Sequence, residues 1–340
     1  MTHRAILRVA LLAGLALGQL SCATTGLTPL SRSQPAERIG LAPEYRVFYD
    51  ALQDYGDWVF VPELHYVFRP RESFVTWRPY EDGYWAPSDL YGWVWVSGEP
   101  FGWATYHYGR WFYDRYNGWV WAPGIDWGPA WVAWGANDQY AAWSPLLSPS
   151  PAEDAIPGGA WTYAPLGALG ETNLPAQIVH ADNPVVKAVA VLPVQNIVQV
   201  KGVAINRGPQ FELVERHTGK LPRIRIEERE LGVTPAAPAA RVTGRGGAAD
   251  AQDAALDAMA ASRREAEEAA RAAKALAERG GAPPQTVTVL KPTMVPGTDA
   301  HPHRRGEELA RAKAEARAKR KAQGHGPGGA KPAPPDSTKR

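Results

Sequence analysis

Cysteine is almost missing from this 340-residue chain: Cys22 stands alone, so no disulfide can close within the chain and no cysteine-based metal site exists. Long apolar runs are missing too. The best of them, Val9 to Leu17, falls well short of the roughly 20 residues needed to cross a bilayer core of about 30 Å. Net charge is small, +2 at neutral pH, which argues against a uniformly basic nucleic-acid binder and against a uniformly acidic, solvating chain. The sequence marks of nucleotide and acyl chemistry are absent as well: there is no P-loop, no nucleophile elbow and no Gly-rich dinucleotide loop. No cofactor, no metal and no nucleic acid is therefore expected.

What is present is unevenly placed. Formal charge runs +3 over residues 1–40, −7 over 41–150, −1 over 151–240 and +7 over 241–340. Of the 14 Trp, 13 fall between Trp58 and Trp143. Gly (33) and Pro (31) are both abundant, so turns, loops or unfolded stretches should take a large share of the chain.

The segment from Tyr55 to Ser144 repeats itself, and the repeat sets the expected fold. Copy one is Gly56-Asp57-Trp58 followed by Tyr66-Val67-Phe68. Copy two is Gly83-Tyr84-Trp85 followed by Trp93-Val94-Trp95, and copy three is Gly109-Arg110-Trp111 followed by Trp119-Val120-Trp121. Within each copy the later aromatics sit 8 and 10 residues after the first, and the copies are spaced by 27 and then 26. Trp77 and Trp103 are also 26 apart, each leading into a Tyr-x-x-Gly-x-Trp string. Each copy reads as a hairpin: an outgoing aromatic strand, a bend such as Asn117-Gly118, and a returning strand apolar on both faces. Stacked copies would place Trp58, Trp85 and Trp111 in one ladder and Tyr66, Trp93 and Trp119 in another. A partial unit from Trp131 to Trp143 closes the array, and Pro145, Pro149 and Pro151 end it.

The strings Tyr91-Gly-Trp-Val-Trp-Val96, Gly102 to Trp111, Gly118-Trp-Val-Trp-Ala-Pro123 and Trp127 to Pro145 resemble the bacterial family labelled domain of unknown function 6600. The resemblance covers about residues 45–146. It implies an exported envelope protein of unknown activity and brings no catalytic residues with it.

At the start of the chain, Arg4 and Arg8, the apolar run and Ser21-Cys22 resemble a bacterial lipoprotein signal, in which Cys22 becomes the acylated first residue. Gln19 and Leu20 depart from that pattern, so ordinary cleavage near Ala23 remains the alternative. Several acyl chains on one residue anchor a protein firmly. The expected organisation is a signal peptide over 1–21, a linker over 22–44 and a Trp-rich β-repeat domain over 45–146. A Pro/Gly/Ala linker over 147–178 follows, in which Trp161 and Tyr163 can dock back. Residues 179–232 read as a small β-rich unit, with strands at Val185–Val191, Val194–Val200 and Pro222–Glu228 and one short helix opened by Pro209. Residues 233–340 read as a low-complexity, partly helical basic tail without a core. The fold class is all-β with antiparallel hairpin repeats, and the expected place is the outer membrane, facing the periplasm or the surface.

Between Tyr45 and Trp143, 31 of 99 residues are Trp, Tyr or Phe. Such rings either build the core of a small β-fold or reach solvent in rows that stack on sugars. The candidate binding surface is Trp58, Trp85, Trp93, Trp95, Trp111, Trp119 and Trp121, beside the acids Glu81, Asp82, Asp89, Glu99, Asp114 and Asp126. Those acids sit at bends, where Asp serves the backbone, and no paired catalytic set is visible among them. His65, His107 and His180 read as packed or surface imidazoles, and His301, His303 and His325 lack metal-ligand spacing. The function expected is a non-catalytic scaffold of the envelope. The alternative is binding of cell-wall or surface glycan, and a glycosidase-like enzyme comes last.

Overall fold

Three aromatic hairpins dominate the chain, and their registers follow the repeat. The structure is a computed structural model that describes residues 35–62, 64–73, 75–146, 161–187, 190–231 and 247–292. Two helices, α1 (Ala36–Gly40) and α2 (Arg46–Leu52), lead into the strands β1 (Gly56–Val61) and β2 (His65–Pro70). Then come β3 (Gly83–Ser88), β4 (Gly92–Ser97), the short helix α3 (Gly102–Thr105), β5 (Arg110–Asp114) and β6 (Gly118–Ala122). The aromatics ten residues apart are cross-strand partners: Trp58↔Phe68, Trp85↔Trp95 and Trp111↔Trp121. Each returning strand opens with a residue in the left-handed region, Gly92 at φ 76° and Gly118 at φ 72°. Copy one has His65 there, at φ 60°, one of the few side chains that accept this backbone. The Gly-Trp signature thus marks the point where the ribbon turns back.

The hairpins do not stack in sequence order. Copies one and three share a four-stranded sheet ordered β1-β2-β6-β5, joined where Phe68 meets Trp121. Copy two, β3–β4, remains a separate ribbon. The expected ladders of equivalent indoles are therefore corrected. Trp58, Phe68, Trp121 and Trp111 form one cross-strand row within the first sheet, while Trp85 and Trp95 face another partner. That partner is the hairpin of β7 (Val132–Ala136) and β8 (Tyr140–Pro145), where Trp134 pairs with Trp143. Trp85 lies 4.5 Å from Trp134 and 5.8 Å from Trp143, ring centre to ring centre. The row of the first sheet packs under α2, with Phe48 edge-on to Trp121 at 5.3 Å and Tyr49 at 5.6 Å from Trp58. Two rings 26 residues apart do meet: Tyr80 and Tyr106 approach to 4.5 Å, and the Tyr80 hydroxyl donates to the Tyr106 carbonyl. Faces with large rings are buried better against a different face than beside their own copies, because side-by-side neighbours in a sheet cover only ring edges.

Downstream residues complete this core and form no separate unit. The strand β9 (Thr162–Pro165) adds to β8, and β10 (Val179–His180) adds to β9. Leu166, Leu169 and Leu174 are fully buried, so 161–178 is packed structure and no linker; residues 147–160 lie outside the described residues. The helix α4 (Pro184–Lys187) replaces the expected strand at 185–191, since Pro184 presets the helical φ at its first position. The strands β11 (Leu192–Val194), β12 (Ile197–Val200) and β13 (Val203–Asn206) follow, and β11 pairs with β7 to make a five-stranded sheet ordered β10-β9-β8-β7-β11. The helix α5 (Phe211–Thr218) ends at Gly219, as its sequence implies. Trp93 sits 5.4 Å from Phe211 and donates its indole N–H to the Pro209 carbonyl at 2.9 Å. The described residues from Ala36 onward belong to one compact unit, which also corrects the linker reading for 36–44, where Leu41 and Ala42 are buried.

Over residues 247–292 the expected helix is present, but the expectation that this part of the tail packs against nothing is corrected. The strand β14 (Arg225–Leu231) pairs in parallel with β15 (Thr286–Pro292), and the helix α6 (Gly247–Arg279) makes the crossover between them. An all-β description is therefore too narrow: the chain is strand-rich and mainly antiparallel, with one β-α-β element. Ser262, Ala266, Ala270 and Ala273, spaced three and four apart, are buried along one side of α6. Tyr55 donates to Glu267 at 3.0 Å, Arg263 pairs with Asp54, and Thr172 donates to the Leu276 carbonyl at 2.9 Å. An alanine stripe carries little hydrophobicity per residue, yet it lets a helix lie close against a surface. Truncation after residue 232 is expected to destabilise the remainder by several kcal/mol, because it uncovers this contact and the β14 edge. Urea unfolding of the two forms checks this, and equal midpoints would make α6 and β15 peripheral.

Candidate functional site

The seven candidate indoles are interior groups. Trp85, Trp93, Trp95, Trp111 and Trp121 are at most 1% exposed, and Trp58 and Trp119 reach only 9% and 8%. No solvent-open row of rings exists among them, because each lies on the inward face of its ribbon. Several indole N–H groups bind distant backbone: Trp121 donates to Tyr108, Trp131 to His107 and Trp143 to Tyr80, at 2.7 to 3.0 Å. Others, including those of Trp58, Trp85, Trp95 and Trp111, are buried without a conventional acceptor. Trp85 has four rings within 4.5 to 6.1 Å.

Where the inward face of the first sheet runs out toward solvent, the rings thin out and a groove opens. Its floor is Trp119, the neighbour of Tyr113 across β5–β6, and Trp77, which stands on the turn after β2. Trp77 is half-buried against Trp111 at 5.2 Å and Phe101 at 6.2 Å. The rim is polar. Asp57 and Arg69, cross-strand partners in β1–β2, pair at 2.8 Å, and Arg71 reaches the other Asp57 oxygen at 3.3 Å. Asn117 closes the far side from the β5–β6 bend. The hydrogen bond from Arg69, with help from Arg71, holds the Asp57 carboxyl below its usual range. The groove encloses about 210 Å³.

Behind Trp77 lies a buried carboxyl. Glu99 accepts from the Trp77 indole at 2.6 Å, from the Tyr106 hydroxyl, and from Ser97 at 3.2 Å. Burial pushes its pKa up to about 8, against the opposing pull of those donors. His107, packed flat on Trp127 at 5.5 Å and bonded to the Gly128 carbonyl at 2.9 Å, is pushed the other way by burial, down to about 4. Neither group opens on a cleft with a partner in reach of substrate, so their arrangement is that of packed polar groups.

The other candidate acids are dispersed. Asp114 accepts from the Tyr116 and Asn117 amides and so builds its bend. Glu81 takes hydrogen bonds from Thr162 and His180, both at 3.0 Å, and Asp89 pairs with Arg223 at 3.2 Å. A second cavity of about 320 Å³ lies between the β3–β4 bend and α5, where Arg207 and Arg223 face Asp89 and Glu212. Among the described residues no group of three His, Cys, Asp or Glu is arranged to hold a metal, and no helix is long and apolar enough to cross a membrane. Cys22, His301, His303 and His325 lie outside the described residues.

Of the groove residues, only Trp119 stands out in the sequence as a site candidate. Trp77 showed only as a spacing partner of Trp103. Asp57, Arg69 and Arg71 carried no signal beyond opposite charges twelve and fourteen apart, meaningful only once β1 and β2 pair.

Residues 49–150 match the sequence model of a family of unknown function (DUF6600), in line with the resemblance carried by the Gly-Trp strings. No curated protein and no solved structure matches the chain.

Proposed function

We propose that this protein is a non-catalytic structural component of the cell envelope, attached to a membrane through an acylated Cys22. One observation carries the structural half of this reading: the seven repeat indoles are buried, so the aromatic excess builds a rigid body. Indole N–H groups reaching carbonyls up to 116 residues away fasten distant segments to that body. The dispersal of carboxylates into bends, ion pairs and interior supports the absence of catalysis. The export signal supports the envelope location.

Two measurements test the reading. Labelling cells with radioactive palmitate should mark the wild type and leave Cys22→Ala unmarked; equal labelling removes the anchor. Deleting the protein should weaken the envelope against detergent, and variants lacking single surface carboxylates (Asp82→Ala, Asp114→Ala, Asp126→Ala) should all restore resistance. A folded variant of this set that fails to restore it would reinstate a catalytic reading.

A further inference from the structure

The glycan-binding alternative placed its contacts on indoles that prove to be buried, but the groove at the edge of the first sheet offers a different surface. We propose that this groove, floored by Trp77 and Trp119 and rimmed by Asp57, Arg69, Arg71 and Asn117, binds one uncharged sugar ring of a glycan chain. The proposal goes beyond the scaffold reading and does not depend on it.

The chemistry of the walls selects the ligand. The half-buried Trp77 indole presents apolar surface of the kind that packs on the C–H face of a pyranose, and the buried Trp119 adds only a narrow edge (8% exposed) to the wall. Around them the polar groups come in cancelling pairs. Asp57 and Glu72 oppose Arg69 and Arg71, so the groove has no excess charge to draw in a phosphate or a cation. It nevertheless presents carboxylate acceptors beside guanidinium donors, with the Asn117 amide opposite. Adjacent hydroxyls, each able to donate and accept, match such a rim; a group of one sign would meet repulsion from half of it. The space of about 210 Å³ lies below the roughly 300–1,000 Å³ of sites that enclose drug-sized molecules, which suits a single ring of a longer chain that continues outside.

The walls are also held in place before any ligand arrives. The Arg71 guanidinium is tied to the carbonyls of Asp54 at 2.8 Å and Gly56 at 3.3 Å as well as to Asp57. Arg69 is fixed by its bond to Asp57, and the Trp77 indole by its bond to Glu99 at 2.6 Å. Ser73 shapes the turn that carries Trp77, its carbonyl accepting from the Trp77 amide at 3.0 Å. Groups fixed in this way lose little freedom on binding, and a sugar ring, itself rigid, loses less than a flexible peptide that must be ordered. Glu99 acts here as a positioning residue for Trp77.

The test uses the full-length protein, titrated by calorimetry and by Trp fluorescence with three probes. Chitotetraose represents N-acetylated, wall-type glycan, maltotetraose a plain hexose polysaccharide, and inorganic phosphate a charged ligand. The expected result is saturable binding of at least one tetrasaccharide with a change in indole emission, and none of phosphate. Asp57→Ala and Asn117→Ala, both on the surface, should each weaken that binding about tenfold while near-ultraviolet circular dichroism stays unchanged. Trp77→Phe should weaken it as well. Preference for chitotetraose identifies the wall as the source, and preference for maltotetraose a plain polysaccharide. The proposal is overturned by no saturable binding of either saccharide up to about 10 mM, tenfold above a 1 mM affinity. It is equally overturned by preferential binding of phosphate, or by saccharide affinity that folded Asp57→Ala and Asn117→Ala leave intact.

Discussion

Trp85→Ala should remove about 3–5 kcal/mol of stability, the usual range for deleting a large buried ring, and so bring a protein of ordinary stability close to unfolding. The residue is completely buried and touches Trp95, Trp134, Trp143 and Tyr80, which belong to both ribbons and to the loop between sheets. No neighbour can collapse into the gap without breaking another ring contact, which places the cost toward the upper end. Tyr116→Ala, at a ring that is 71% exposed on the β5–β6 bend, should change stability by about 0.5 kcal/mol or less. Urea unfolding followed by Trp emission and circular dichroism measures both. A loss under about 1 kcal/mol for Trp85→Ala would mean that the ribbons do not share one core.

Stability should also pass through a maximum in mildly acidic solution, because two buried groups pull in opposite directions. Glu99 has its folded pKa raised from 4.5 to about 8, chiefly by burial. The folded state therefore holds this proton more tightly than the unfolded chain. Its contribution is complete below pH 4.5 and is lost as pH rises through 8, an effect on the order of 5 kcal/mol at its fullest. His107 has its folded pKa lowered from 6.5 to about 4, again by burial. There the unfolded chain takes up the proton first, so stability is complete above pH 6.5 and falls as pH drops toward 4. Glu99→Gln should flatten the alkaline limb and leave the acid limb in place; His107→Gln should do the reverse. Unfolding free energies at half-unit steps from pH 4 to 9 give both slopes. Survival of the alkaline slope in Glu99→Gln would show that another group sets it.

The hairpins were legible because their cause is local. A residue forced to positive φ at the ribbon turn must be Gly or one of a few tolerant side chains, so Gly92 and Gly118 announce themselves. Aromatics ten apart then face each other whatever surrounds the ribbon. The order of ribbons was not legible, since Phe68 and Trp121, 53 positions apart, meet through packing that no short-range rule links. The helical composition of α6 was legible, but its packing was not, for a related reason. Its buried residues are chiefly alanines, which look neutral in a sequence and become a contact face only when a surface of matching shape is in reach. Strand β15 escaped notice because it follows that helix and has a partner 61 residues earlier.

The candidate site divides along the same line. Aromatic abundance told that rings would dominate, and the alternation of strands told which rings share a face. Whether a face points inward or outward depends on what closes over it, and here two further hairpins, α2 and the downstream loops do so. The seven repeat indoles were consequently interior, while Trp77, outside the strand pattern, came to stand at an opening beside charges drawn from two different strands.

Residue type and spacing by themselves determined the ribbons, their turns, their registers and the concentration of rings between Trp58 and Trp143, because each follows from backbone conformation within about a dozen residues. Only the tertiary structure decided which ribbons became neighbours, that the Ala-rich stretch would lie down as a crossover, and which indoles keep a wet edge. These outcomes rest on the area that competing faces can bury against one another, a quantity that belongs to the assembled molecule and to no segment of it.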